Sequence, residues 1–423
     1  MVRADAGGPG RRAVVKGVVV GAVGAGWGGV ARAQGAPGRV AGEVRLRLPE
    51  PGGPHGVGVA GLYLVDRGRP DPWVAGIGVR EVLVTVFYPA WTALTGRAGR
   101  AVRGFPVARQ LSGGVAEVFG VVMPWVHPEL PSAGVAWGAT ETHSHVGAPV
   151  LGGRRPVLVY SPGGGDPSGL GVGVAEELAS WGWVVVCVDH PGDAVAVEFP
   201  VGRVGREMVR RTVFVGDPRG DAALFRTVVG TRVADVSFVI DELERVVGGR
   251  QTDAAGRAVP KGLGRALDLR RVGVYGHSVG GTTAVQAMYE DRRIRAAVNW
   301  EGFLDQAPEA SGRPGELLPV ARYGVDRPLL LVGTDGFSGG KEMARSWAAT
   351  LAHSGGRTRR QRIGDTGHWV FTDYATMVPQ LQAAGLMTAE GRKKLVGAVA
   401  PGVAVPAVRR SVREFFERWL PIG

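Results

Sequence analysis

A single cysteine, Cys187, is present among the 423 residues of this chain. No internal disulfide can therefore form. Hydrophobic residues make up 45% of the sequence and charged residues 21%, which is normal for a globular protein with a sizeable core and excludes a disordered chain. Cys187 lies in the apolar run 183–188, where we expect it to be a small buried hydrophobe.

Long uninterrupted apolar runs are also absent after the first 33 residues, so no segment there has the length that a membrane-spanning helix needs. At the start of the chain, Arg11-Arg12 precedes a Gly-, Ala- and Val-rich stretch over 17–30, and the small-x-small pattern Ala31-Arg32-Ala33 follows. This order is typical of a secretory signal of the twin-arginine type. A membrane anchor is the alternative, but the stretch is short and rich in glycine. We therefore expect residues 1–33 to be removed, the mature chain to begin near Gln34, and the protein to be secreted or periplasmic.

Acidic residues are outnumbered, because 50 Lys and Arg against 38 Asp and Glu give a formal net charge of +12. Residues 1–33 contribute +4 of this charge, which leaves about +8 for the rest. Motifs for binding nucleic acid are missing, and arginines are spread along the whole chain rather than interleaved with aromatic residues. The charge therefore indicates a solvated basic surface and no nucleic-acid partner, and such a surface is compatible with transient contact with anionic lipid surfaces.

Short apolar runs alternate with segments of helical periodicity along most of the chain. The runs are nearly continuous in Val, Leu, Ile and aromatic residues, as in strands buried on both faces of a parallel sheet. The alternation predicts an α/β fold with a doubly wound, mostly parallel sheet. The runs cover residues 82–88, 156–160, 183–188, 272–275, 294–300 and 328–332, and the helical segments cover residues 172–181, 231–247, 280–290, 341–353 and 408–420.

Two stretches interrupt this alternation, residues 89–151 and residues 191–230. Both are rich in glycine and proline, and we expect them to cross the carboxyl edge of the sheet, where ligand-binding loops of open α/β folds gather. Residues 191–230 are the candidate lid. Since no internal repeat or low-complexity linker separates two domains, residues 34–423 are predicted to form one domain.

The pattern Gly-x-Ser-x-Gly occurs twice, around Ser278 and around Ser338. In a nucleophile elbow the serine lies on a sharp turn between a strand and a helix, and the flanking glycines allow close backbone approach. With 70 glycines in the chain, the bare pattern decides little. The run 272–275 continues directly into the turn at Ser278, whereas Gly333-Thr334-Asp335-Gly336 intervene between the run that ends at residue 332 and the turn at Ser338. Only about 30 residues then follow Ser338 before the last candidate histidine, which leaves no room for a further strand with an acid. Ser278 is therefore the predicted nucleophile.

A serine nucleophile needs a base, and the base needs a carboxylate that orients it. The order expected in this architecture is serine, acid, histidine. His277 is held inside the elbow, and His353 ends a helical segment. His368 lies in a loop after the last predicted strand and is the predicted base. The remaining five of the eight histidines come too early: His55, His127, His143, His145 and His190.

Two carboxylates could orient the base. Glu301 follows the run that ends at residue 300, and Asp335 follows the run that ends at residue 332. Both lie at the carboxyl end of a predicted strand, where a partner for His368 belongs, so both candidates stay open.

The oxyanion of the tetrahedral intermediate needs two hydrogen-bond donors. One is the backbone N–H of Val279, the residue after the nucleophile, and the other should come from the loop after an early strand. Here that loop is 161–165, whose three consecutive glycines let the backbone turn its amides inward.

Taken in order, these segments resemble the plasma-type platelet-activating factor acetylhydrolase family of α/β-hydrolases and its bacterial esterase relatives. The resemblance covers roughly residues 80–375 and implies an α/β-hydrolase fold. It places the acid at Glu301, about 23 residues after the nucleophile, where the family usually has aspartate, and it places the second oxyanion donor at Gly164. Pro162 departs from the family, which has histidine there. The segments are Val86-Phe87-Tyr88-Pro89, Tyr160-Ser161-Pro162-Gly163-Gly164, Val188-Asp189-His190, Gly276-His277-Ser278-Val279-Gly280-Gly281 and Gly367-His368-x-x-Phe371-x-Asp373.

The residues and the resemblance together predict a secreted serine esterase that cleaves carboxylic esters, with short acyl groups on lipid-like alcohols as the expected substrates. No cofactor is expected, and the pair His143 and His145 fits a solvated loop better than a zinc site. A polyester or triglyceride hydrolase is the alternative within the enzymes. A non-catalytic binding protein on the same fold is the alternative outside them, since a fold does not guarantee chemistry.

Overall fold

The computed structural model describes residues 42–91, 104–202, 206–214, 217–309 and 312–423. The predicted export signal, residues 1–33, and the expected start of the mature chain near Gln34 lie outside the described residues. Residues 42–423 form one compact unit. Within the described ranges, no helix has the length and apolar character to cross a membrane.

Ten of the twelve strands in the described residues form one sheet, and the other two pair with each other. In chain order the strands are β1 (Gly56–Asp66), β2 (Arg80–Ala90), β3 (Val107–Arg109), β4 (Glu141–Val146), β5 (Arg155–Ser161), β6 (Val184–Asp189), β7 (Ala196–Glu198), β8 (Val209–Arg211), β9 (Leu267–His277), β10 (Ile294–Trp300), β11 (Leu329–Thr334) and β12 (Thr358–Ile363). The large sheet has the order β12-β11-β10-β9-β5-β6-β2-β1-β4-β3, and β7 pairs with β8.

Six strands that are adjacent in the sheet, β12, β11, β10, β9, β5 and β6, run parallel to one another. The next strand, β2, is antiparallel to both of its neighbours, β6 and β1. Valines of the central strands, such as Val159, Val186 and Val274, are fully buried because helices cover both faces of the sheet. The prediction of a mostly parallel, doubly wound α/β fold is confirmed. Cys187 of β6 is buried with a free thiol, as predicted.

Helices flank the sheet on both sides. Apolar residues of α3, α5, α6 and α7 form one core cluster with the sheet, and those of α2 and α10 form another. The helices are α1 (Gly113–Val126), α2 (Val172–Trp181), α3 (Ala222–Val247), α4 (Leu263–Ala266), α5 (Val279–Glu290), α6 (Pro319–Tyr323), α7 (Gly340–His353), α8 (Tyr374–Ala383), α9 (Ala389–Val396) and α10 (Pro401–Trp419).

The stretch 191–230 is only partly loop. Helix α3 begins at Ala222 rather than at residue 231, because the Asp221 side chain accepts hydrogen bonds from the N–H groups of Ala223 and Leu224 and so caps the helix. The hairpin of β7 and β8 occupies the middle of the stretch. Its role as a lid stays a prediction.

Several elements escaped the sequence pattern. The stretch 89–151 contains α1, β3 and β4. The sequence also did not predict β12, which lies between Ser338 and His368 and carries no acidic residue. Four consecutive residues of this edge strand, residues 359–362, are exposed, so it lacks the apolar run of a central strand.

Candidate active site

Ser278 lies on a strained turn between β9 and α5. Its φ of 55° and ψ of −125° lie in a region that residues other than glycine rarely adopt. The turn is held because the Ser278 N–H donates to the carbonyl of Trp300 at 2.7 Å. The serine is half-buried, at the carboxyl edge of the sheet. This geometry is that of a nucleophile elbow.

Two glycines allow the elbow to pack against its surroundings. A Cβ on Gly280 would lie 2.0 Å from the carbonyl oxygen of Ser161, and a Cβ on Gly276 would lie 2.3 Å from the Gly280 carbonyl group. No side chain fits at such distances. The glycines of this motif are therefore required by close approach between the elbow and the loop after β5.

Glu301 occupies a second strained position, with φ of 55°, directly after β10. The side chain of Asn299 accepts a hydrogen bond from the Gly302 N–H at 2.6 Å and donates to the Gly302 carbonyl at 3.0 Å. Trp347 donates to the same carbonyl at 2.9 Å. These bonds hold the turn that carries the carboxylate of Glu301.

His368 Nδ1 lies 2.7 Å from Glu301 Oε2, and both side chains are buried. The other carboxylate oxygen, Oε1, accepts hydrogen bonds from the N–H of Thr334 at 2.5 Å and from its hydroxyl at 2.7 Å. Asp335, the other acid that the sequence left open, accepts from the Asp365 N–H at 3.0 Å and pairs with Arg362. The structure thus joins His368 to Glu301 and turns Asp335 to the backbone of the neighbouring loop.

The elbow and the histidine loop are in contact. The rings of His277 and His368 have centroids 4.4 Å apart, and His277 Nε2 donates to the main-chain carbonyl of His368 at 2.9 Å. Since His277 is the residue before Ser278, these contacts pack the loop of the predicted base against the elbow. The histidine is part of a short 3-10 turn, His368–Phe371, that follows β12.

Burial sets the protonation of the pair. Desolvation raises the pKa of Glu301 to about 7, although the hydrogen bonds from Thr334 lower it. Desolvation lowers the pKa of His368 well below its ordinary value, and the nearby His277 lowers it further. An imidazole with a low pKa is neutral at neutral pH, so its Nε2 is free to accept a proton when Nδ1–H donates to Glu301.

The loop after β5 places its amides next to the elbow. A Cβ on Gly164 would lie 3.5 Å from Val279 Cγ1, so the two predicted oxyanion donors belong to adjacent residues in space. Gly164 is exposed, and its N–H has no hydrogen-bond acceptor among the described residues. The N–H of Val279 is the first of α5 and has no acceptor within the helix.

A buried ion pair that sequence reasoning missed anchors this loop. Arg232 donates to the carbonyls of Pro162 at 2.5 Å and Gly163 at 3.0 Å and pairs with Asp193. Asp193 in turn accepts a hydrogen bond from the Gly165 N–H at 3.0 Å. Because Arg232 binds the carbonyls of Pro162 and Gly163, these groups point toward α3. The N–H of Gly164 is left without an acceptor in the part of the chain that the structure describes and can donate to a substrate. No local pattern marks Arg232, because it lies about 70 residues away on α3.

A second serine–histidine–aspartate chain lies beneath the site. His190 Nε2 lies 3.0 Å from Ser161 Oγ, and His190 Nδ1 lies 3.0 Å from Asp235 Oδ2. All three side chains are buried without access to solvent, and Arg80 pairs with Asp235. Because Ser161 is buried, no substrate can reach it. These three residues therefore support the loop after β5 and do not form a second active site.

The remaining candidates from the sequence are Ser338 and the pair His143 and His145. Ser338 is exposed in the loop before α7. The expectation of a solvated loop for His143 and His145 was wrong, because both lie half-buried on β4, where their rings bond to the carbonyl oxygens of Leu48 and Phe105. Among the residues that the structure describes, no group of three or more potential ligand side chains could hold a metal ion.

Comparison with known proteins, like the geometry of the site, supports an esterase. The sequence model described as platelet-activating factor acetylhydrolase, isoform II, matches residues 41–308. This range includes Ser278 and Glu301, and His368 lies beyond it. The chain is also similar to a probable 1-alkyl-2-acetylglycerophosphocholine esterase of Arthroderma benhamiae, with 25% identity over 272 residues. That match covers 62% of this chain and 60% of the relative's length.

A solved structure covers more of the fold. The ferulic acid esterase from Streptomyces cinnamoneus is 29% identical, with a TM-score of 0.64, and the match covers 90% of this chain and 93% of the esterase. The prediction of a carboxylic ester hydrolase agrees with all three comparisons, and so does the resemblance found in the sequence.

Proposed function

This chain belongs to the platelet-activating factor acetylhydrolase, isoform II family, and we propose that it is a secreted serine esterase that hydrolyses carboxylic esters. The observation that carries the proposal is the hydrogen bond between His368 and Glu301, in a loop that contacts the strained elbow of Ser278 through His277. A buried, oriented, neutral imidazole next to a half-exposed hydroxyl is the arrangement that activates a serine.

In the proposed reaction, Ser278 Oγ attacks the ester carbonyl while His368 Nε2 takes the serine proton. The imidazolium that forms is stabilised by Glu301 through Nδ1–H. When the tetrahedral intermediate collapses, the bond to the alkoxy oxygen breaks and His368 gives its proton to the leaving alcohol. Water, deprotonated by the same histidine, then releases the acyl group as a carboxylic acid and restores Ser278.

The negative oxygen of each intermediate would be held by the backbone amides of Gly164 and Val279. The adjacency of the two residues and the unused N–H of Gly164 support this assignment. Arg232 does not touch the substrate in this scheme. It positions the loop by binding the carbonyls on its far side.

For the substrate, we propose esters with short acyl groups on lipid-like alcohols. The family and the Arthroderma relative support this choice, since the name of that relative describes an esterase of an alkyl acetyl glycerophosphocholine. A basic surface would favour transient contact with anionic lipid, and the charge of about +8 that remains after the +4 of residues 1–33 is subtracted from +12 supports such contact.

Esters of aromatic acids are a second candidate. The structural neighbour is a ferulic acid esterase, and two half-buried aromatic rings, Phe303 and Phe337, lie near His368. Partly exposed rings of this kind could stack on a planar acyl group.

A panel of esters tests the function. The purified chain should release p-nitrophenol from short-chain p-nitrophenyl esters, and Ser278→Ala should abolish this release while the circular dichroism spectrum stays that of the native fold. Comparing acyl lengths, a phospholipid with a short second acyl chain, a triglyceride, a polyester and methyl ferulate ranks the substrates. Failure of the wild-type chain to react with a fluorophosphonate probe would favour the non-catalytic alternative.

Export through a twin-arginine signal is tested separately. We expect the chain to accumulate outside the cytoplasm, and replacement of both Arg11 and Arg12 by lysine should retain it inside. Export that persists in this double variant contradicts a twin-arginine route.

A further inference from the structure

We infer that the second Gly-x-Ser-x-Gly turn, residues 336–340, belongs to the catalytic apparatus through Phe337, a positioning residue that seats the imidazole of His368. The phenyl ring stacks on the imidazole, with centroids 4.2 Å apart and planes 13° from parallel. The serine of this turn, Ser338, is exposed and takes no part. The inference rests on the proposed role of His368 as the base.

The turn is tied to the histidine loop. The N–H of Gly336 donates to the carbonyl of Thr366 at 3.0 Å, two residues before His368. On the other side, the Phe337 ring meets Phe303 edge to face, with centroids 5.8 Å apart. The position of the phenyl ring is therefore determined both by the backbone of the loop it serves and by a second aromatic ring.

One glycine of the turn, Gly339, is required by this packing. A Cβ on Gly339 would lie 2.8 Å from Phe337 Cζ and 2.7 Å from Phe303 Cζ. Any larger residue would displace one of the two rings. In the first motif, the absence of side chains on the glycines lets other backbone atoms approach closely. In the second motif, the absence of a side chain on Gly339 leaves room for two aromatic rings.

Arg219 extends the stack into the stretch 191–230. Its guanidinium lies 3.7 Å from the centroid of the Phe303 ring and pairs with Asp305. The candidate lid is thus connected to His368 through Phe303 and Phe337.

The stack restricts the plane of the imidazole. The Cβ–Cγ bond and the hydrogen bond from Nδ1 to Glu301 hold two points of the ring, and the parallel phenyl ring restricts the tilt that remains. His277 and Trp369 contact the same ring, at centroid distances of 4.4 and 4.8 Å. With its plane held, Nε2 keeps one direction for proton transfer, which is where catalysis gains from fixed geometry.

The phenyl face also favours the imidazolium that forms during the reaction, because the electron-rich face of an aromatic ring attracts a cation. It does so without a second charge in a buried site. The titratable groups near the imidazole are Glu301, His277, Asp166 and His127. Asp335, on the loop next to Phe337, is turned away to Asp365 and Arg362.

Kinetics of three variants test the inference. For p-nitrophenyl acetate, we expect Phe337→Leu to lower kcat by roughly tenfold, as the loss of a cation–π contact implies, with KM within twofold of the wild type. Phe337→Tyr keeps the ring and should retain most of the wild-type kcat. Ser338→Ala, on the same turn, should match the wild type. A kcat of Phe337→Leu within twofold of the wild type, or an equal loss in Phe337→Tyr, would overturn the inference. If Phe337→Leu does not fold, Phe337→Met replaces it.

The pH profile and NMR distinguish a role of Phe337 in positioning the His368 imidazole from a general role in stability. Losing the attraction to the imidazolium should move the acid limb of kcat/KM in Phe337→Leu to lower pH, whereas a purely structural role leaves the limb in place. In histidine-labelled protein, the His368 Cε1–H resonance should lie upfield in the wild type and move downfield in Phe337→Leu. Because NMR needs no turnover, a chain inactive on every ester would still report on the stack, so the two proposals can fail independently. Identical His368 resonances in both proteins overturn the inference.

Discussion

The ring of His277 donates a hydrogen bond from Nε2 to the main-chain carbonyl of His368 at 2.9 Å, although the two residues are 91 positions apart. The bond ties the elbow to the loop that carries the proposed base. On its other side, Nδ1 of His277 lies 3.8 Å from the buried carboxylate of Asp166, the residue that follows the loop of the proposed oxyanion donors. One histidine therefore connects all three parts of the site.

Replacing His277 by alanine should lower kcat by roughly ten- to a hundredfold, because a small displacement of the base is costly when geometry supplies part of the rate. Glutamine can still donate to the carbonyl of His368, and His277→Gln should keep more activity than His277→Ala. Initial rates on p-nitrophenyl acetate, with melting temperatures as the control for folding, check this. Equal activity in the two variants would mean that the hydrogen bond has no role.

Glu301→Gln and Asp335→Asn form a matched pair that tests which acid orients His368. Removing the negative charge at Glu301 leaves the imidazolium unsupported, so we expect kcat to fall by about 10³–10⁴. Within the described part of the chain, Asp335 bonds to the neighbouring loop and to Arg362, and its variant should stay within about threefold of the wild type. The reverse order of losses would reassign the acid.

The pH dependence follows from the shared hydrogen bond of His368 and Glu301, which titrate as a pair. Burial raises the pKa of Glu301 to about 7 and lowers that of His368. Below the apparent pKa of the pair, the additional proton prevents His368 from accepting the proton of Ser278. We therefore expect kcat/KM to rise through about pH 7 and then level off. A profile that is flat from pH 5 to 9 is incompatible with this assignment, whereas Asp335→Asn should leave the midpoint unchanged.

Two glycine substitutions distinguish the two Gly-x-Ser-x-Gly motifs. Gly280→Ala would place a Cβ 2.0 Å from the Ser161 carbonyl oxygen, so the elbow must distort, and we expect a loss of several kcal/mol in unfolding free energy together with activity. A Cβ on Gly340 meets nothing within 4 Å, and Gly340→Ala at the start of α7 should be neutral or stabilising by about 0.5–1 kcal/mol. Urea unfolding of both variants measures the difference. A neutral Gly280→Ala would show that the close approach is not a constraint.

The central strands were predictable because burial on both faces demands continuous apolar runs, as in β5, β6 and β9. The edge strand β12 was not, since three arginines stand among its four exposed residues. Helix α1 was hidden in a stretch rich in glycine and proline and carries Pro124 in its interior.

Among the site residues, Ser278 and His368 could be proposed from order alone, because the strand before the elbow is continuous and only one late histidine lies in a loop. The residues that position the site could not be proposed from the sequence. Arg232, Asn299 and Phe337 act through contacts with segments distant in sequence or through a local fold that has no signature.

The sequence by itself determined the fold class, the family resemblance and the candidates Ser278 and His368, because these depend on hydrophobic pattern and on the order of segments. Only the tertiary structure decided which carboxylate bonds to His368. Glu301 and Asp335 both follow parallel strands, and the sequence does not show where either side chain points. The positive φ of Glu301 and the clamp from Asn299 direct its carboxylate to the imidazole, while the Asp365 N–H and Arg362 hold that of Asp335.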